Sequence, residues 1–392
     1  MKSEFKTQRL SVGFKFHQFC LIFLTSIVFL SCSEEEHSKE VAERIPSYSV
    51  DSLASALPEL RAKSTGVFDQ PGFIGPYYLE PLQGGEYIAV NDRFEQRILL
   101  FDEKGIYLSS AGGEGRGPGE FMGSILIHAG TDQELYGLDL RLNRITQFSV
   151  NQEKITYETS YTVNLEPGSW LHNIYVTQWG NFGVIRKNLN YSTGKEAYYL
   201  YKLDDSFNSV EPLFEMPGNE KLSLDGRSHI DHIVGQKALW DLDGEWFYHI
   251  TSHDATINRY NLRTGETSVE TFFDLAEREV TKEHRNHLID FSSNMIRRFP
   301  GFRNVIDTVR VLPLFQELMV RDNNIYFVVF NLERSESTEL IQLKLSTGDV
   351  HYANIPHKLW RIQASNGLLY GIEKTGDGEE RVRIIELENE SY

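Results

Sequence analysis

Residues 84–121 read GGEYIAVNDRFEQRILLFDEKGIYLSSAGGEGRGPGEF. Tyr87, Ile88 and Val90 make one β-run, residues 91–95 a turn, residues 98–101 a second run, residues 102–105 another turn and residues 106–108 a third run. A Gly-Pro-Gly segment then hands over to the next unit. Strands this short cannot bury two faces alone, so a unit of about 40 to 50 residues has to stack against others built like it.

The rest of the chain supplies those others. Asp92 is followed five residues later by Arg97, then by Ile98 and, three further on, Phe101; Asp139, Arg144, Ile145 and Phe148 repeat the spacing. Weaker copies begin near Trp170, His232, Leu314 and Leu359, with the turn pairs Asp243-Gly244, Asn323-Asn324 and Asn366-Gly367 at positions that favour positive φ. Six units predict an all-β chain folded as a six-bladed β-propeller of four-stranded antiparallel blades, spanning residues 60–392. A ring of sheets loses its edges only when first and last blades join, so residues 64–74 are expected to add a strand beside residues 381–387. Between Asp274 and Pro313 the alternation stops: Leu288, Phe291, Met295 and Phe299 step at helical spacing. This predicts one helix of about 18 residues within an insertion at 275–312, capped by Thr281, stopped by Pro300-Gly301, and turning Arg285, Arg297 and Arg298 to solvent. Residues 188–195 and 217–232 read as polar rim loops.

The N-terminus has a different character. Lys2, Lys6, Arg9 and Lys15 precede an apolar run over residues 19–30, the length of a signal-peptide core and short for a membrane span. It ends at Leu30-Ser31-Cys32, which resembles the lipobox of bacterial lipoproteins and implies cleavage after residue 31 and acylation of Cys32. Residues 32–59 then form a polar tether, opening on Ser33-Glu34-Glu35-Glu36, which looks like an acidic surface-export signal. The expected location is the cell envelope, at the outer membrane and on its surface side, with acyl chains as the membrane contact. The chain carries a formal charge of −17, and losing the leader makes the remainder more acidic still. That argues against a nucleic-acid partner, which needs clustered Lys and Arg.

Gly113 to Phe121, with the Asp92–Arg97–Ile98 spacing and Phe101-Asp102-x-x-Gly105, resembles NHL-repeat propellers and, more narrowly, the six-bladed β-propeller lipoproteins of gram-negative bacteria in the TolB-like and NHL-like group. The strong match covers residues 68–148; Glu95 and Gln96 stand where NHL units usually carry Asn and His. Asp92 with Arg97, and Asp139 with Arg144, are expected to pair across hairpins, since a guanidinium fork fits a carboxylate. Gly117-Pro118-Gly119 completes the set of blade fastenings.

Catalytic motifs are missing. The sequence holds no HExxH, CxxC or GxSxG, the glycine-rich residues 112–119 lack the Lys-Ser/Thr of a phosphate loop, and Cys20 and Cys32 are the only cysteines. No catalytic residue and no required cofactor is predicted. His229, Asp231, His232 and His253 are candidates for a ligand-binding loop, and His284 and His287 share one helical turn. Two functions follow: a binding or scaffold module for a peptide, glycan or protein partner, or a lactonase-like metal-dependent hydrolase or lyase. The second would place a divalent cation on the axis, with Asp92, Asp139 and Asp241 as candidate ligands.

Overall fold

The computed structural model describes residues 45–68, 75–123, 125–131, 133–190, 193–223, 229–332 and 336–389. Cys32, the leader, residues 33–44 of the expected tether and residues 69–74 lie outside them, whereas residues 45–59 are built into the fold: Ser47–Tyr48 pairs with Asp274–Leu275, and Val50, Leu53 and Leu57 are buried in the core. Six four-stranded antiparallel blades follow one another around an axis, five of them meanders from an inner to an outer strand and the sixth completed by a strand from the N-terminal side that also joins it to the fifth. The inner strands are Pro76–Leu82, Ile125–Ala129, Ser169–Thr177, Ala238–Asp243, Phe315–Arg321 and Leu359–Ser365. The six-bladed propeller read from the repeats is the observed architecture.

Strand periodicity explains why the blades stack. In the first blade Ile88, Val90, Leu99 and Phe101 point one way, into Tyr370, Ile372, Val382 and Ile384 of the sixth. Ala89, Ile98 and Leu100 of the same strands point the other way, into Phe121, Ile125, Leu135 and Phe148 of the second. Middle strands buried on both faces therefore read as continuous apolar runs. Phe101 and Phe148, the matched aromatics of the repeat, are both fully buried.

The aspartates of the repeat fasten turns, though by different bonds than expected. Asp92 Oδ1 accepts from the backbone N–H of Phe94 (3.0 Å) and Glu95 (3.3 Å). Asp139 Oδ1 accepts from Arg141 (2.9 Å) and Leu142 (3.0 Å), and its Oδ2 from Met122 (2.6 Å). Arg97 and Arg144 sit opposite these aspartates in register, yet Arg97 pairs with Glu95 at 2.5 Å and Arg144 donates to the carbonyls of Arg116 (3.1 Å), Gly117 (3.4 Å) and Glu120. A short carboxylate is captured by the turn amides beside it, and of the two longer guanidinium groups Arg144 reaches past to the Gly-Pro-Gly loop. There Glu120 accepts from Gly117 N–H at 2.7 Å, and Gly119, at φ +77°, leaves room for the Tyr157 ring.

The ring is closed by Glu59–Val67, which pairs antiparallel with Glu380–Asn389 from Leu60↔Asn389 to Val67↔Arg383. Its first two residues also pair parallel with Tyr352 and Ala353, joining the fifth and sixth blades. The closing strand thus lies earlier in the chain than the expected 64–74. The insertion also differs: it forms three helices, Lys282–Phe291, Ser293–Arg298 and Phe302–Thr308, because the backbone at Ser292 leaves the helical region (φ −90°, ψ 8°). Thr281 caps the first, with His284 completing a reciprocal capping box. The break turns Phe291 out to 72% exposure and lets Arg285 donate to the carbonyls of Ile306 and Val309 at the end of the last helix, so neither holds its expected place. Residues 217–232 contain a hairpin, Lys221–Ser223 with His229–Asp231, and the long strand Gly180–Asn190 takes up much of 188–195. Among the described residues no helix is long and apolar enough to cross a membrane.

Antiparallel order puts the tight inner-to-second-strand turns at one rim. The connections between blades, including the hairpin and the three helices, all emerge at the other.

Candidate functional site

The inner strands enclose an axial cavity of about 400 Å³. Residues from all six inner strands line it, apolar and polar together. The first blade contributes Tyr78 and Glu80, the second His128, and the third His172, Asn173 and Tyr175. Trp240 and Asp241 come from the fourth, Glu317 and Arg321 from the fifth, Arg361 and Gln363 from the sixth.

Three carboxylates bind blade to blade. Glu80 accepts from Ala129 N–H of the second blade at 3.2 Å, Asp241 from Val320 N–H of the fifth at 2.8 Å, and Glu317 from Ile362 N–H of the sixth at 3.4 Å. Asp241 also receives Arg321 Nη1 at 2.8 Å, and the same guanidinium donates to Leu242 O (3.0 Å) and Val320 O (2.5 Å). Asp241 and Arg321 therefore cancel each other's charge, with further bonds covering what the pair leaves unsatisfied.

Burial sets the protonation of the rest. It pushes the carboxyls of Glu80 and Glu317 up to about 7, against the attraction of Arg321 for the first and Arg361 for the second. It also raises Asp241, against Arg321 and the amide bonds. Burial lowers His128 to about 3, with His172 adding to the effect, and lowers His172 as well. Both imidazoles are neutral near pH 7; His172 Nδ1 meets Asn173 Oδ1 at 3.2 Å. Among the described residues, His128 Nε2 and Gln363 Oε1 are buried without a hydrogen-bond partner. Buried polar atoms in a wall of this kind call for a bound water or ligand atom. The cavity can therefore bind a molecule with several hydrogen-bonding groups, offering it neutral ring nitrogens and titratable carboxyls.

Of the residues proposed from sequence as site residues, Asp241 alone lines this cavity. Asp92 and Asp139 cap turns at the ends of second strands, so the three aspartates do not converge. Among the described residues no three His, Cys, Asp or Glu side chains come together as a metal-binding set. His229, Asp231 and His232 lie in the connection between the third and fourth blades, and His253 in the turn after the second strand of the fourth, at the same rim. Asp231 is bonded by Lys221 and by Asn219 at 3.3 Å, His232 Nδ1 accepts from Val234 N–H at 3.2 Å, and His253 Nδ1 meets Ser252 Oγ at 3.1 Å. The His229 ring packs against Gly194. Asp231, His232 and His253 thus each make a local contact, and none of the four residues lines the axial cavity. What sequence reading missed is Glu80, His128, Glu317, Arg321, Arg361 and Gln363, whose signal is a polar residue interrupting an inner strand that is otherwise largely apolar, clearest in Ile125-Leu126-Ile127-His128.

Known proteins agree with this architecture. The fold resembles that of a protein of Bacteroides fragilis described as exported, with a TM-score of 0.53 at 10% identity over 88% of this chain and 99% of that one. A member of the DUF4221 family from Bacteroides vulgatus aligns with a TM-score of 0.46 at 11% identity over 85% and 99%. No curated protein matches the sequence. Residues 82–357, well over half of the chain, match the family model DUF5128, described as a 6-bladed beta-propeller. With its six sheets closed into a ring by a borrowed N-terminal strand, the chain belongs to the DUF5128 family of six-bladed β-propellers.

Proposed function

We propose that this protein is a binding module, exported and held to the envelope membrane through acylated Cys32, that takes a small polar ligand into its axial cavity. The observation that carries the reading is a cavity of about 400 Å³ lined by polar side chains from all six blades, two of which, His128 and Gln363, hold a buried polar atom without a hydrogen-bond partner among the described residues. That volume falls within the roughly 300–1,000 Å³ typical of small-molecule sites. It favours a glycan unit or a short peptide fragment over insertion of a folded partner. Metal-dependent hydrolysis is not supported by the donor set: the axial carboxylates are committed to amides and to Arg321, and the other candidate aspartates are elsewhere.

A thermal-shift screen with neutral and acidic monosaccharides, disaccharides and dipeptides tests the cavity. Wild type should be stabilised by some of them, and Gln363→Trp, which fills the cavity, should lose the response. Hits that survive the filled variant would move binding to a rim and overturn the reading. The anchor is tested apart from the ligand: Cys32→Ala should abolish labelling by a clickable palmitate analogue and release the protein from membranes.

A further inference from the structure

We propose that Arg361 is an anion anchor, and that the ligand of the axial cavity is a carboxylate-bearing, hydroxyl-rich molecule of the size of a sugar acid. This rests on the reading of the cavity as a binding site. Arg361 is the extra residue of a bulge between Trp360 and Ile362 and has φ +54°, a conformation uncommon for a side chain of its size. Bulges re-aim side chains, and this one delivers a guanidinium to the cavity wall. Stacking holds it there: its Cζ lies 4.6 Å from the Tyr78 ring centroid and 5.6 Å from that of Tyr77, and its Nη2 donates to Tyr78 Oη at 3.2 Å.

Its charge is not spent. Among the described residues no carboxylate forms an ion pair with Arg361, whereas Arg321 pairs with Asp241 at 2.8 Å and Arg93 with Glu380 at 3.1 Å. Glu317 and Tyr78 face it from neighbouring inner strands, with His172 further off. Glu80 faces the neutralised Asp241–Arg321 pair instead. With His172 neutral and Glu317 holding a proton, Arg361 is the uncompensated charge on this side of the cavity. A ligand carboxylate completes the fork in bidentate geometry. Its hydroxyls face the cavity wall that His128 and Gln363 line, whose Nε2 and Oε1 lack a hydrogen-bond partner among the described residues.

The test is calorimetric titration of the full chain with glucuronate, glucose and lactate, melting temperature confirming that each variant folds. At pH 6 glucuronate should bind about tenfold more tightly than glucose. Arg361→Met should bring it to the glucose level and Arg361→Lys, which keeps the charge without the fork, should fall between. Binding should weaken from pH 6 to pH 8 as Glu317 and Glu80 ionise, and Glu317→Gln should remove most of that loss. Lactate as tight as glucuronate would support the anchor and assign its ligand to small hydroxy acids. Equal binding of glucuronate and glucose, lost in Gln363→Trp, would overturn the anchor while leaving the cavity reading intact. Absence of glucuronate and lactate binding overturns the anchor too; the cavity reading is then judged by whether other screened compounds lose binding in Gln363→Trp.

Discussion

Asp139 shows what one side chain does in this molecule. It is fully buried, and its two oxygens hold three backbone donors, those of Met122, Arg141 and Leu142, joining a turn to the loop that enters the second blade. Asp139→Ala strands those donors and should cost about 3 kcal/mol in denaturant unfolding; a loss under about 1 kcal/mol would mean the turn is held by other bonds. Gly105 is as demanding for a steric reason. Its φ is +82°, and a Cβ there would meet Phe68 Cα at 2.8 Å, so Gly105→Ala should destabilise by about 2 kcal/mol or more. Glu317 acts with pH. The folded protein keeps a proton that the unfolded chain releases near 4.5, so the stability associated with Glu317 is full below that value and is lost as pH rises through about 7. Glu317→Gln keeps the amide acceptor without the charge. It should therefore be more stable than wild type by about 2 kcal/mol at pH 8 and equal to it near pH 4; equal stability at pH 8 would show that Glu317 is ionised and solvated.

Among the elements, the closing strand Glu59–Val67 carries the most consequence. It comes from the N-terminal side of the chain to complete a sheet whose other strands are the last three, so the ring is fastened by residues far apart in sequence. Leu60, 3% exposed and packed with Ile385 and Leu359, makes this a core contact as well as a hydrogen-bonded one. Leu60→Ala should cost about 3 kcal/mol. Deletion of residues 59–67 should abolish cooperative melting, and a truncated chain that melts as wild type would refute closure by this strand. The inserted helices teach the opposite lesson. Leu288 and Met295 keep helical spacing in sequence, but Ser292 ends the first helix, and no propensity argument over residues 282–299 would have placed the break there.

For the whole molecule, fold and site differ in how far sequence reaches. The Asp92 and Asp139 units, Phe101 and Phe148, and the turn pairs at 243–244 and 366–367 made the propeller legible, because each records a local requirement: a capped turn, a buried ring, a tight reversal. Local requirements repeat with the blade, and repetition is visible in one dimension. The cavity was not legible. Glu80, His128, Glu317 and Arg361 sit in different blades, as little as 44 and as much as 281 positions apart, and nothing in the strand around each one marks it as facing the others. Only closing the ring brings them to one axis, where burial lifts the carboxyls, silences the imidazoles and leaves Arg361 without an ion-pair partner among the described residues. Blade number and the repeated turns were thus determined by the sequence alone, since they follow from short-range pattern; the bonds that fasten those turns and the bounds of the closing strand were not. Which side chains share a cavity, and with what charge, was decided by the tertiary structure, because convergence and desolvation are properties of the closed ring and of no single blade.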